Sequence, residues 1–230
     1  QSALFTLLAV YATSMNFTIL EISIVTFLLA ISGAIAQFPI GKISDMYDRR
    51  KVIVFSTFGA AMFSIFAILV SRQMYLPGSL ATSKTWFYIF FILFSFCSLP
   101  MFSLILAHTN DYISKDKFVA AGAGLQFAFG LGAMSGPFLC SIFMDLVGSN
   151  GFFVFLFFFH CIIGFFGIYR MKVRQSVDNP DSQFVAMPQT ITPAGIELNP
   201  TTEHIEEPYS EKVKEILERK GVKYKKDKGE

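Results

Sequence analysis

Residues 20–40 read LEISIVTFLLAISGAIAQFPI, and residues 41–51 continue as GKISDMYDRRK. The first stretch carries one charge, Glu21 at its start, and is long enough as a helix to cross a hydrocarbon core of about 30 Å. The second holds six charged residues in eleven. So abrupt a change from hydrocarbon-like to ionic composition marks the place where a span leaves a bilayer.

Four further runs have the same character: Val52–Ser71, Trp86–Ala107, Val119–Met144 and Gly151–Tyr169. A sixth, Ala3–Phe17, is shorter and reads as a truncated first span, and the opening at Gln1 without a basic leader reads as a cut start. The runs are continuous rather than alternating, which predicts helices and not barrel strands. Composition agrees. Of 230 residues 53% are hydrophobic, 28 are Phe, and only 16% are charged, against about 25% in soluble domains. Mean hydropathy is +0.52. Residues 1–171 hold 9 Lys/Arg and 6 Asp/Glu, whereas residues 172–230 hold 10 and 11. The expectation is an all-α polytopic membrane protein with three parts: a six-span unit over 1–171, a flexible linker over 172–209 and a polar tail over 210–230. The linker region 175–209 has five prolines, and the tail a short amphipathic helix over 210–220. A soluble enzyme domain and a nucleic-acid-binding module are excluded as first readings; a net charge of +2 calls for no polyanionic partner. Cys97, Cys140 and Cys161 lie in apolar runs, an unlikely disulfide framework.

Orientation follows from the short loops. Lys42, Arg49, Arg50, Lys51, Lys115, Lys117, Arg170, Lys172 and Arg174 fall on one side, and only Arg72 and Lys84 on the other. The positive-inside bias predicts that the 41–51 loop, the 108–118 loop and the C-terminal tail are cytoplasmic.

Within the 41–51 loop, Gly41 allows close approach at the membrane edge, Asp45 suits free N–H groups at a helix N-terminus, and Arg49 and Arg50 suit carboxylates or helix-end carbonyls. Gly41, Asp45, Arg49 and Arg50 together resemble motif A of the major facilitator superfamily, Gly-x-x-x-Asp-x-x-Gly-Arg-Lys/Arg, with Asp48 standing where that family usually has glycine. The resemblance implies a six-helix half of that fold, helices seven to twelve because a polar tail follows the last span, with motif A latching one conformational state. It implies secondary transport of a small solute across a plasma (inner) membrane by alternating access, with proton coupling as a further option, together with a separate N-terminal six-helix half and the lipid bilayer as partners. Gln37 to Gly41, the run Leu106 to Asp111 and Ser135-Gly136-Pro137 suggest the YcaD-like branch. A shift of 100 residues lays Asp45, Val54 and Phe55 over Asp145, Val154 and Phe155, a faint echo of the inverted three-helix repeats of such halves.

Other candidates follow. Gly132 and Gly136 are spaced by four and precede Pro137, a pattern for helix packing and a kink that also resembles part of the family's motif C. Tyr11, Ser98 and Gln126 are candidate cavity-lining groups. His108 and Asp111 share a helical face and suit a gate or loop contact, with a proton relay as the alternative. Glu21 reads as interfacial and His160 as a satisfied structural histidine. No nucleophile–base pair, metal-ligand cluster or phosphate loop appears, so neither catalytic residue, metal nor cofactor is expected. The competing classes are a non-transporting membrane subunit and, more weakly, a membrane enzyme.

Overall fold

A computed structural model describes residues 1–74, 80–113, 117–173, 184, 186 and 187. Its helices are α1 (Ser2–Ser14), α2 (Ile19–Met46), α3 (Arg49–Gln73), α4 (Leu80–Ser98), α5 (Met101–Asn110), α6 (Phe118–Val147) and α7 (Gly151–Val173). Five stretches are long and apolar enough to cross a membrane: Ile19–Met46, Arg49–Gln73, Thr82–Asn110, Val119–Val147 and Gly151–Val173. Each matches an expected span. The shorter apolar helix α1 makes the sixth.

Two boundaries differ from expectation. The Trp86–Ala107 run is one span built from two helices, broken at Leu99 and Pro100. Pro100 has no N–H to continue the ladder, and its carbonyl instead starts α5 by accepting from Leu104 N. The 41–51 stretch is not a loop. Helix α2 runs through Gly41 and Asp45 to Met46, extended Tyr47 turns the chain, and α3 begins at Arg49. The linker and tail over 172–230 lie outside the described residues, apart from Lys172, Val173, Phe184, Ala186 and Met187.

Local chemistry sets the turns. Between α1 and α2, Asn16 takes φ 59°, a conformation Asn tolerates better than most residues. Thr18 and Glu21 then form a reciprocal capping box. Between α6 and α7, Gly148 takes φ 80°. Gly151 starts α7 so close to the Phe143 carbonyl that a Cβ there would overlap it.

The helices form a ring in the order α1, α2, α4–α5, α3, α7, α6, with α3 packed most extensively on α7 and α4. The shift of about 100 residues seen in the sequence recurs in helix ends, since α2 ends at Met46 and α6 at Val147, while α3 starts at Arg49 and α7 at Gly151. The ring closes on an aromatic core of Tyr11, Phe87, Phe91, Phe94, Phe152 and Phe153, all fully buried. Phe27, Phe38, Phe55, Phe127 and Phe138 point outward, as suits hydrocarbon solvent. Small residues let helices meet: Gly33 faces Leu99, and Gly164 lies under the Phe58 ring.

Candidate functional site

The charged end of the bundle is organised by Asp48. Its carboxylate accepts from Arg50 N at 3.0 Å and so caps α3, and it holds the Arg50 guanidinium through Nε at 3.1 Å and Nη2 at 2.8 Å. This corrects the role expected of Asp45. That residue lies in the last turn of α2 and caps none of the described helices. It pairs across the helix break with Arg49, whose Nη2 donates to Asp45 Oδ1 at 2.9 Å. The departure from the motif, Asp48 in place of glycine, is thus what starts the next helix.

Arg49 is only 7% exposed. A guanidinium so buried requires compensating charge. It finds a second carboxylate in Asp111, the C-cap of α5, with Nη1 to Oδ1 at 2.7 Å. One side chain therefore ties the end of α2, the start of α3 and the end of α5. His108 Nδ1 lies 4.0 Å from Asp111 Oδ2, and Tyr112 sets its ring edge-on to the imidazole at 5.0 Å. The candidate latch and the candidate gate are one network. Beside it a cavity of about 230 Å³ is lined by Arg50, His108, Thr109, Tyr112, Ile113 and Arg170.

Gly41 also serves differently from expectation. What closes on it is Phe184, from beyond α7, whose ring occupies the space a Cβ would take. Phe184 N donates to Asp45 Oδ1 at 2.8 Å. Ser103 Oγ on α5 donates to Met187 O at 3.0 Å and accepts from Met187 N at 3.1 Å.

The Major Facilitator Superfamily model matches residues 1–217. The chain belongs to the Major Facilitator Superfamily. The charged network thus sits at one end of a facilitator-family bundle with five stretches long and apolar enough to cross a membrane. Similar proteins include an uncharacterized MFS-type transporter of Yersinia enterocolitica, 28% identical over 160 residues, covering 70% of this chain and 37% of the relative. One from Yersinia pestis is 25% identical over the same shares. One from Methanocaldococcus jannaschii is 26% identical over 183 residues, covering 77% of this chain and 42% of the relative. The chain thus spans about two fifths of the length of these relatives. No solved structure matches it.

The remaining candidates scatter through this facilitator bundle. Tyr11 is fully buried, its ring stacked on Phe87 and Phe152 and met edge-on by Phe153. Ser98 lies 3.0 Å from His160 Nε2, and His160 Nδ1 donates to the Leu156 carbonyl at 2.7 Å. A carbonyl only accepts, so in the neutral ring Nε2 accepts from the serine, and the histidine is satisfied on both sides. This pair lines a cavity of about 340 Å³ with Met101, Phe102, Gly132 and Gly136. Neither Tyr11 nor Gln126 borders that cavity. The Gln126 carbonyl oxygen is buried without a hydrogen-bond partner among the described residues, as are those of Gln37 and Asn110. Gly132 faces open space, Gly136 meets Ala3 at an ordinary 3.7 Å, and Pro137 sits inside α6. Glu21 completes the capping box and pairs with Lys84 Nζ at 2.7 Å.

Sequence reasoning singled out Gly41, Asp45, Arg49 and Arg50 but did not anticipate the link from Arg49 to Asp111 or the contact of Ser103 with Met187. The only local sign of that link was a carboxylate at the end of a span, facing a basic segment 62 residues away.

Proposed function

We propose that this chain is the C-terminal six-helix half of a secondary transporter that moves a small solute across a plasma (inner) membrane by alternating access. The Asp45–Arg49–Asp111 network is its conformational latch. The observation that carries this is Arg49, buried and shared between a carboxylate at the end of α2 and one at the end of α5. Such a bridge is strong only while α2, α3 and α5 keep one arrangement, so it favours one of two states by its differential contacts. The excess of Lys/Arg at the same end supports a cytoplasmic latch and tail. The length of the relatives supports a separate N-terminal half. The runs Leu106 to Asp111 and Ser135 to Pro137 support the YcaD-like branch.

Solute contacts fall to neutral groups, Gln126 and Ser98 first. The glycine face of α6, open at Gly132, is where the other half packs. Among the described residues Glu21, Asp45, Asp48, Asp111 and Asp145 all lie at helix ends. A proton-coupling carboxylate, if the cycle uses one, therefore belongs to the N-terminal half.

The test is flux in proteoliposomes holding the whole gene product, with a panel of small organic solutes. Asp45→Asn slows flux about tenfold, the effect of about 1.4 kcal/mol, while the protein stays folded because Arg49 retains Asp111. Unchanged flux at equal reconstitution overturns the latch.

A further inference from the structure

Phe184 and Met187, from beyond α7, lie against a groove at the charged end of the bundle. The floor consists of Ala36 and Ile40 on α2, Val52 on α3, and Met101 and Leu104 on α5, with the Phe184 ring packed against them. Three hydrogen bonds hold the backbone above it. Asp45 Oδ1 accepts from Phe184 N, and the Ser103 hydroxyl both donates to and accepts from Met187. Ser103 and Met187 are buried, at 2% and 7% exposure. The groove thus reads backbone at two points and one aromatic side chain at the notch over Gly41.

The groove and the latch share Asp45. Asp45 Oδ1 is a single atom that accepts from Arg49 Nη2 at 2.9 Å and from Phe184 N at 2.8 Å. Arg49 in turn reaches Asp111 at the end of α5, the helix that carries Ser103. If α5 separates from α2, Ser103 moves away from Asp45 and the two anchor points of the segment no longer match its length. We propose that Phe184 and Met187 form a releasable clasp, docked on Gly41 and Asp45 of α2 and on Ser103 of α5 only while Arg49 bridges Asp45 and Asp111. By linkage the dependence is mutual: opening the latch frees the clasp, and losing the clasp weakens the latch. The chain carries its own ligand for the latched state, and any modification or partner that captures this segment shifts the protein toward the unlatched one.

This inference rests on the latch reading, but it is measured separately. Amide hydrogen exchange in lipid nanodiscs reports the clasp, whereas flux reports the latch. In the full chain the Phe184 and Met187 amides exchange at least about tenfold more slowly than in a free peptide of the same sequence. Asp111→Asn, which touches neither, speeds them about fivefold or more while amides in α4 and α7 keep their rates. Phe184→Ala, remote from Asp111, speeds exchange of the Arg50 and Lys51 amides at the start of α3. Peptide-like exchange at Phe184 and Met187 in the unaltered chain overturns the clasp. Slow exchange that Asp111→Asn leaves unchanged in a folded bundle overturns the coupling. Should Asp111→Asn lose protection throughout, the Phe184→Ala arm decides, and unchanged Arg50 and Lys51 amides there count against the proposal.

Discussion

Arg49 in the first turn of α3 donates to Asp111 at the C-cap of α5, 62 residues along the chain and 2.7 Å away. Arg49 is buried and Asp111 largely so, with side-chain exposures of 6% and 12%. The partner pair within the motif is less enclosed, since the Asp45 side chain is 35% exposed. The two carboxylates therefore contribute unequally. Asp111 compensates the buried charge, while Asp45, open to solvent and shared with Phe184, is the end better suited to making and breaking.

Stability should register that inequality. Asp111→Ala leaves Arg49 without its buried partner and lowers unfolding stability by about 3 kcal/mol. Asp45→Ala costs about 1 kcal/mol or less, because water screens that half of the bridge. Thermal unfolding in one detergent, compared across the two variants, checks the order; equal losses would contradict it.

Asp48 offers a second comparison. Asp48→Ala removes the α3 cap and lowers stability by about 1 kcal/mol. Asp48→Gly, which restores the residue usual in motif A, costs less, since glycine serves at an N-cap with a loss of a few tenths of a kcal/mol. The same denaturation series shows whether alanine is the worse of the two.

Glu21 should behave as a structural acid. Glu21→Gln keeps the capping box with Thr18 and loses only a partly exposed pair with Lys84, so stability falls by about 1 kcal/mol at most. Flux should keep its pH profile. A shifted profile at constant folding would instead make Glu21 a coupling group.

The glycines divide into two classes. Gly33→Ala drives a methyl into Leu99, and Gly164→Ala drives one into the Phe58 ring; each costs about 1–3 kcal/mol by overpacking. Gly132→Ala meets open space and leaves the stability of this bundle unchanged or raises it by up to about 1 kcal/mol through helix propensity. Any loss from Gly132→Ala should appear only in the full transporter, read as weaker association of its halves.

The spans were legible because a continuous apolar run of membrane length has few alternative folds, and each of the five long runs is helical over a stretch long and apolar enough to cross a membrane. The break at Pro100 was not legible, because hydropathy is blind to a missing N–H inside an apolar run. The 41–51 segment looked like a loop because its charges were counted, whereas its path depends on one carboxylate, Asp48, seated where α3 begins. Spacing also brought Asp45 and Arg49 together, four residues apart. It had no means of finding Asp111 at a separation of 62 or Phe184 at 139, since those contacts arise from how the ring closes.

Most hydroxyls within the helices are occupied by their own backbone. Thr13, Ser23, Thr26, Ser32, Thr57, Ser64, Ser95, Thr109, Ser135 and Ser141 each donate to a carbonyl three or four residues earlier. A cargo molecule that sought these groups would have to compete with an intact helix for them. Among the described residues the amide oxygens of Gln37, Asn110 and Gln126 are instead buried with no hydrogen-bond partner, so spare hydrogen-bonding capacity inside this bundle lies with side-chain amides rather than with hydroxyls.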